Sequence, residues 1–361
     1  MITPKAFFFS LLIILSIACK NEHKPQEKKL SSKKEKQLTN YLNSELENTL
    51  GLAVAVIKDG ELIYENYLGK ENLSGKPVNK NTIFPLYSIS KLITSTAIFQ
   101  LIEENKLQLD DKISLYLDHL PKSWQTIKIK HLLSHSSGLP DYDVLSGKVS
   151  DSITFKKLTE KELRFEKGER WEYNQTNFWF LSKIIEKVTH KSYEEFVKEN
   201  QFQHNQLLFS SNFIDPVKNR SFKYNFNPDT KQWEKVSLDF GDRTNAAGGI
   251  NLTLNQFVEW TKDFDNNQLI SPTTKEKMWT PFNYQQAFYF NNKKDEFLYG
   301  WEQYSSNNEI SYGFTGGLVT GYRKFIHQDM TIIVFTNGLK EKPIHNKIIS
   351  KIAGIVDSEL N

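Results

Sequence analysis

Cysteine is all but missing from this chain of 361 residues: Cys19 is the only one, so no intramolecular disulfide can form and no thiol is available beyond residue 19. An excess of one charge is missing too. The 46 basic and 43 acidic side chains leave a net charge of +3, and the lysines are scattered rather than striped, which argues against a nucleic-acid partner. The apolar run over residues 6–18 has 13 residues, against the ~20 that a helix needs to cross a bilayer. There is no G-x-S-x-G elbow of an α/β-hydrolase, no glycine-rich phosphate loop followed by a lysine, and no internal repeat. His131 and His135 have the i,i+4 spacing of a zinc pair, but no glutamate follows His131 as H-E-x-x-H requires, so no metal or other cofactor is expected.

What is present is 39% hydrophobic and 13% aromatic residues, in a chain long enough for a large core and two lobes. Too short for a mature span, the apolar run behind Lys5 suits the core of a signal peptide. Cys19 follows Ser16-Ile17-Ala18 as in a bacterial lipobox, with the usual leucine displaced to Leu15. Residues 1–19 therefore read as a lipoprotein signal peptide, with lipid on Cys19 as the membrane anchor. The alternative is an ordinary signal peptide that happens to contain a cysteine. Residues 20–38 hold seven lysines, three glutamates and almost nothing apolar, and read as a flexible charged tether. The expected location is the bacterial cell envelope, on the periplasmic or outer-membrane side.

A helix is expected over about 35–47, where Leu38, Tyr41, Leu42 and Leu46 recur at helical spacing. Two β-rich runs, 52–57 and 62–67, flank Lys58-Asp59-Gly60-Glu61, a strong hairpin signal. Further helices are expected over about 176–189, 192–201, 253–264, 272–279 and 343–357, with an excursion around 225–229. Strands are expected over 297–305, 317–327 and 331–336. Strands at both ends with helices between them imply an α+β fold: one antiparallel β-sheet flanked by helices, with an inserted, mainly helical lobe. The domain would run over 39–361, its sheet lobe taking about 39–110 and 241–361 and its helical lobe about 111–240.

Ser88-Ile89-Ser90-Lys91 is the most informative feature. A helix starting at Ser88 stacks the two side chains one turn apart on one face. A serine hydroxyl is a poor nucleophile until a neighbour takes its proton or stabilises its alkoxide, and a desolvated lysine can do either. The plain alternative is a capped helix with a solvated lysine. Four further blocks weigh against it. They are His131-Leu132-Leu133-Ser134-His135-Ser136-Ser137-Gly138-Leu139-Pro140-Asp141-Tyr142, then Trp171-Glu172-Tyr173-Asn174-Gln175-Thr176-Asn177, then Ala246-Ala247-Gly248-Gly249, and last Tyr312-Gly313-Phe314-Thr315-Gly316-Gly317. In order and spacing they resemble the serine β-lactamase and penicillin-binding-protein superfamily. The likeness is to its branch of class C β-lactamases, D-Ala-D-Ala carboxypeptidases and related esterases, and it runs from about residue 35 to the C-terminus.

That resemblance implies the β-lactamase/transpeptidase-like fold and a serine hydrolase acting through an acyl-enzyme on a small ester, amide or D-amino-acid peptide. It makes Ser88 the acylated nucleophile, Lys91 its partner and Tyr173 the general base. A free tyrosine has a pKa of about 10, so the base role needs positive charge nearby. The backbone N–H groups of Ser88 and Gly317 would form the oxyanion hole. Gln175, Phe314, Thr315 and Gly316 would touch substrate. Two of these positions depart from the family. Gln175 stands where relatives carry asparagine, and Phe314 where they carry lysine or histidine, removing a cation that recognises a substrate carboxylate. Arg323, six residues beyond Gly317, is either a substitute for that cation or a solvated strand residue. The two departures also admit a catalytically weakened protein that binds cell-wall fragments or a protein partner. A true β-lactamase would need the carboxylate recognition that Phe314 does not provide.

The anchor is testable directly. Cys19→Ser is expected to move the protein from the membrane fraction to the soluble fraction and to block lipid-dependent processing. Unchanged fractionation and processing would remove the lipobox reading.

Overall fold

Asp59 and Gly60 both take positive φ, 53° and 78°, as a two-residue turn matched to strand twist requires. They join β1 (Gly51–Lys58) to β2 (Glu61–Gly69) in an antiparallel hairpin. In the computed structural model the described residues are 29–142, 149–202, 207–210, 218–236, 241–286, 295–306, 309–340 and 344–360. The signal peptide, Cys19 and residues 20–28 of the tether lie outside them. The tether is nevertheless shorter than expected, because α1 (Ser32–Ser44) already begins at Ser32. Leu38 and Leu42 bury completely, and that burial carries the helix back into the lysine-rich stretch.

After β3 (Ile83–Pro85) comes a 3-10 turn, Tyr87–Ile89, and then α2 (Ser90–Glu103). Every α2 side chain from Ser90 to Leu101 is buried, so this helix runs through the centre of the molecule rather than along its surface. The helical lobe follows with α3 (Ile129–Leu133), α4 (Asp151–Thr159), α5 (Gln175–Thr189) and α6 (Tyr193–Gln201). Asn174 and Ser192 cap the last two by accepting backbone N–H bonds. The excursion expected at 225–229 is a hairpin, β5 (Tyr224–Asn227) with β6 (Gln232–Lys235), preceded by the two-residue β4 (Leu208–Phe209).

The chain returns through α7 (Asn245–Gly248) and β7 (Ile250–Thr253) to α8 (Leu254–Asp265), where Thr253 and Gln256 form a capping box. α9 (Pro272–Met278) starts with proline at its first position. The strand expected over 297–305 is broken, into β8 (Glu296–Phe297) and β9 (Glu302–Ser306). Then come β10 (Glu309–Gly316), β11 (Thr320–Phe325), β12 (Met330–Thr336), the short β13 (Gly338–Leu339) and α10 (Ile344–Val356). Gly317 thus lies in the turn between β10 and β11, not at the head of a strand.

The main sheet has seven strands in the order β2-β1-β12-β11-β10-β9-β8, all antiparallel. Alternation along β1 sorts its two faces. Leu52, Val54 and Val56 pack with α1 and α10, whereas Ala53, Ala55 and Ile57 face α2, α8 and the helical lobe. On the latter face Trp260 lies flat between Phe257 and Phe264, each 5.4 Å away between ring centroids. Its indole N–H donates to Gln201 Oε1 at 2.9 Å, tying α8 to α6. Trp260→Ala removes a fully buried ring together with that bond, and is expected to destabilise the protein by about 3–5 kcal/mol. Urea unfolding of both proteins measures it; a loss below about 1 kcal/mol would mean the aromatic stack refills the space.

Candidate active site

Tyr87 is buried and holds φ at +48°, a conformation that non-glycine residues adopt only when their surroundings impose it. The surroundings here are glycines. A Cβ on Gly317 would meet the Tyr87 ring at 2.8 Å, and one on Gly248 would lie 3.5 Å from the Tyr87 backbone. The strained residue turns the chain sharply between β3 and α2 and leaves Ser88 on the 3-10 turn at the cleft. The helix proper begins at Ser90, not Ser88, but the three-residue spacing still stacks Lys91 one turn behind the hydroxyl.

Tyr173 arrives from the other lobe. The block from His131 to Tyr142 holds it in place. His135, itself at φ +55°, sits with its ring 4.7 Å from that of Tyr173. His135 Nδ1 accepts the N–H of Asn174 at 3.2 Å and lies 3.1 Å from Asn177 Nδ2. Asp141 Oδ1 accepts the backbone N–H groups of Gln175 and Thr176 at 2.8 and 3.0 Å, fixing the start of α5. The two histidines are therefore structural, and His131 Nδ1 accepts the N–H of Lys128 at 3.1 Å. Among the described residues no group of three or more His, Cys, Asp or Glu is placed to hold a metal ion.

The result is a contact of 2.6 Å between Ser88 Oγ and Tyr173 Oη. Lys91 has no exposed surface; its Nζ donates to Gln175 Oε1 at 2.8 Å and to the carbonyl of Ala247 at 2.7 Å. That carbonyl belongs to the four-residue α7, whose length leaves it free of a helical partner. Gln175 also hydrogen-bonds the Tyr173 hydroxyl. Its side chain, expected to touch substrate, links Lys91 and Tyr173.

Burial pushes the Lys91 amine down from its ordinary value to about 7, with Asp141 and Glu302 opposing the shift. Burial pushes the Tyr173 phenol up, and its bonds to Ser88 and Gln175 offset only part of this. Near neutral pH the Lys91 amine therefore loses its proton readily, whereas the phenol keeps its own. A neutral phenol thus lies between the serine and a readily deprotonated amine, the arrangement of a shared-proton partner.

Strand β10 forms the opposite wall. Gly316 presses so close to Leu86 that a Cβ would come within 2.1 Å of its carbonyl oxygen. Phe314 is buried, edge-on to Phe297 at 6.1 Å and opposite Tyr322 in register, so its ring belongs to the core. Arg323 is not a solvated strand residue. It is buried, stacks 3.6 Å from the Tyr304 ring centroid, and donates to Thr315 Oγ1 at 3.0 Å and to the Tyr322 carbonyl at 2.7 Å. Two residues that sequence reasoning passed over also reach this wall. Lys223 donates to the Gly317 carbonyl at 2.9 Å, and Glu302 lies within electrostatic reach of both Lys91 and Tyr173. Neither stands in a recognisable motif, so no sequence signal marked them.

The Beta-lactamase family model matches residues 38–354 of the chain. Penicillin-binding protein 4* of Bacillus subtilis (strain 168) is 26% identical over 310 residues, covering 79% of this chain and 67% of that protein. The teichoic acid D-alanine hydrolase of Staphylococcus aureus (strain NCTC 8325 / PS 47) is 27% identical over 339 residues, 88% of this chain and 78% of that one. Among solved structures, the D-amino acid amidase from Ochrobactrum anthropi SV3 has a TM-score of 0.76 at 17% identity, covering 91% of this chain and 100% of that chain. The octameric penicillin-binding protein homologue from Pyrococcus abyssi has a TM-score of 0.75 at 23% identity, covering 88% and 76%. The structural likenesses establish the shared fold.

The proton inventory makes a pH prediction. A fluorophosphonate is attacked by the serine oxygen with loss of fluoride, and the serine proton needs an acceptor. Because the depressed amine must be deprotonated to accept it, the labelling rate of Ser88 should rise with pH through about 7 and level off above. Tyr173→Phe should slow labelling by at least about 10²-fold at the plateau. A rate that shows no rise near 7 and still climbs at pH 10 and beyond would return the acceptor role to the phenol.

Proposed function

The chain belongs to the beta-lactamase family, and we propose that it is a serine hydrolase of the cell envelope that cleaves a small ester, amide or D-amino-acid peptide through an acyl-enzyme on Ser88. The observation that carries this reading is the 2.6 Å contact between Ser88 and Tyr173 with the buried Lys91 one turn behind. Ser88 oxygen attacks the substrate carbonyl while its proton passes by way of the Tyr173 hydroxyl to the Lys91 amine. The same proton returns to the departing alcohol or amine. Water then attacks the acyl-serine by the same route and restores the hydroxyl. The oxyanion of each step would be received by the backbone N–H groups of Ser88 and Gly317.

The relatives bear on the substrate through their names: one is a D-alanine hydrolase acting on teichoic acid, another a D-amino acid amidase. Both names describe an aminoacyl bond rather than a β-lactam. The buried ring of Phe314 agrees with that, since it offers no cation to a carboxylate-bearing substrate. Attachment to a membrane through Cys19 would keep the enzyme beside cell-wall polymers. The weakened-binder alternative loses one of its two motives, because Gln175 is engaged with Lys91 and Tyr173 rather than missing from the site.

The test is hydrolysis of p-nitrophenyl acetate together with intact-protein mass after fluorophosphonate treatment. Wild type should hydrolyse the ester and gain one adduct, and Ser88→Ala should lose both while keeping its thermal midpoint. A folded wild type that does neither is a binding protein.

A further inference from the structure

β9 pairs with β10 only as far as Glu302 opposite Gly313. Beyond that point residues 314–316 of β10 have no strand partner on this side among the described residues. The edge is not bare, however. The Glu302 carboxyl folds over it and accepts the backbone N–H of Thr315. Tyr304 donates its hydroxyl to Glu302 Oε2 from the same strand, and the Arg323 guanidinium, bonded to Thr315 Oγ1, supplies the nearest positive charge. Only 6% of the Glu302 surface is exposed. Thr315 and Gly317, beside it, are half-buried at the cleft, as are Ser88 and Tyr173 across from them. A carboxyl thus sits at the open edge of β10, within electrostatic reach of Lys91.

We propose that Glu302 is the specificity-determining residue of the cleft and receives the free α-ammonium of an aminoacyl ester or amide. This rests on the hydrolase reading above. The α-nitrogen of such a substrate is one carbon from the carbonyl that Ser88 attacks, so its partner has to lie beside the nucleophile, on the β10 wall. Phe314 fits the same chemistry. A cation at that position would repel an ammonium, and an aromatic ring in its place leaves the negative partner unopposed from the strand. Burial holds the Glu302 carboxyl up, to about 8, despite Arg323 and Lys91; an arriving ammonium supplies the charge that draws it into the carboxylate form. Tyr304 holds the carboxyl through its hydrogen bond and Arg323 through its charge, while Asp295 brings negative charge near both groups.

The experiment compares kcat/KM for D-alanine methyl ester and N-acetyl-D-alanine methyl ester, in wild type, Glu302→Gln and Glu302→Asp. Fluorophosphonate labelling of Ser88 reports that each variant is folded. Wild type should prefer the free amine by about 10- to 100-fold, the scale of one charge-assisted hydrogen bond. Glu302→Gln should erase that preference, chiefly through KM for the free-amine ester, and Glu302→Asp should restore part of it. A wild type that labels but turns over the N-acetyl ester as well or better overturns the proposal and leaves the hydrolase reading standing. So does equal loss on both esters in a variant that still labels, which would make Glu302 a structural support. A folded wild type that neither labels nor hydrolyses overturns both readings together.

Discussion

Lys91 is an amine without access to water, and much of the molecule is arranged around that fact. Removing an ammonium from water costs several kcal/mol unless it finds acceptors or gives up its proton. Here both occur. Ala247 and Gln175 present oxygens to the nitrogen, and its proton affinity falls to about 7. The central position of α2, buried from Ser90 to Leu101, creates the desolvation. The short α7 and the first residue of α5 then supply what water no longer does. A lysine on a surface helix with the same spacing to a serine would stay protonated and accept nothing.

The same helix makes the site a joint between lobes. Ser88 and Lys91 come with the sheet lobe, Tyr173 and Gln175 with the helical lobe, and Ala247 with the chain as it returns. A rigid frame is needed to keep Ser88 and Tyr173 at 2.6 Å across that joint. His135, Asn174 and Asp141 lock the start of α5 with hydrogen bonds, and the missing side chain of Gly317 leaves room for the ring of the strained Tyr87. Local strain at the nucleophile is thus offset by packing in two neighbouring segments.

The far wall shows how one substitution alters a site by its surroundings. Phe314 joins the aromatic core with Phe297, while the polar functions of the wall pass to residues of adjacent strands, Glu302 on β9 and Arg323 on β11. Charge is present in the cleft, but its sign and origin differ from what position 314 alone conveys. The guanidinium is tied to Thr315 and lies over Tyr304, so it orients the wall.

Much of this was legible in the residues themselves. Alternation in β1 and β2 with Asp59-Gly60 between them, helical spacing in α5 and α8, and the capping residues at their starts are local patterns whose physics acts within a few residues. The Ser88–Lys91 spacing is of the same kind, whereas the blocks around His135, Tyr173 and Ala247 took their readings from a family resemblance rather than from local physics. The early start of α1, the break between β8 and β9 and the turn at Gly317 could not be named in advance, because burial against α10 and strand register decide them. Nor could the burial of Arg323, the bridging role of Gln175 or the presence of Glu302 at the cleft. A side chain's exposure and proton affinity depend on groups brought near it from distant parts of the chain, as Glu302 is to Lys91. Sequence determined which residues could meet at the candidate site; only the tertiary structure decided their surroundings and proton affinities, because desolvation and proximity arise when the chain has folded.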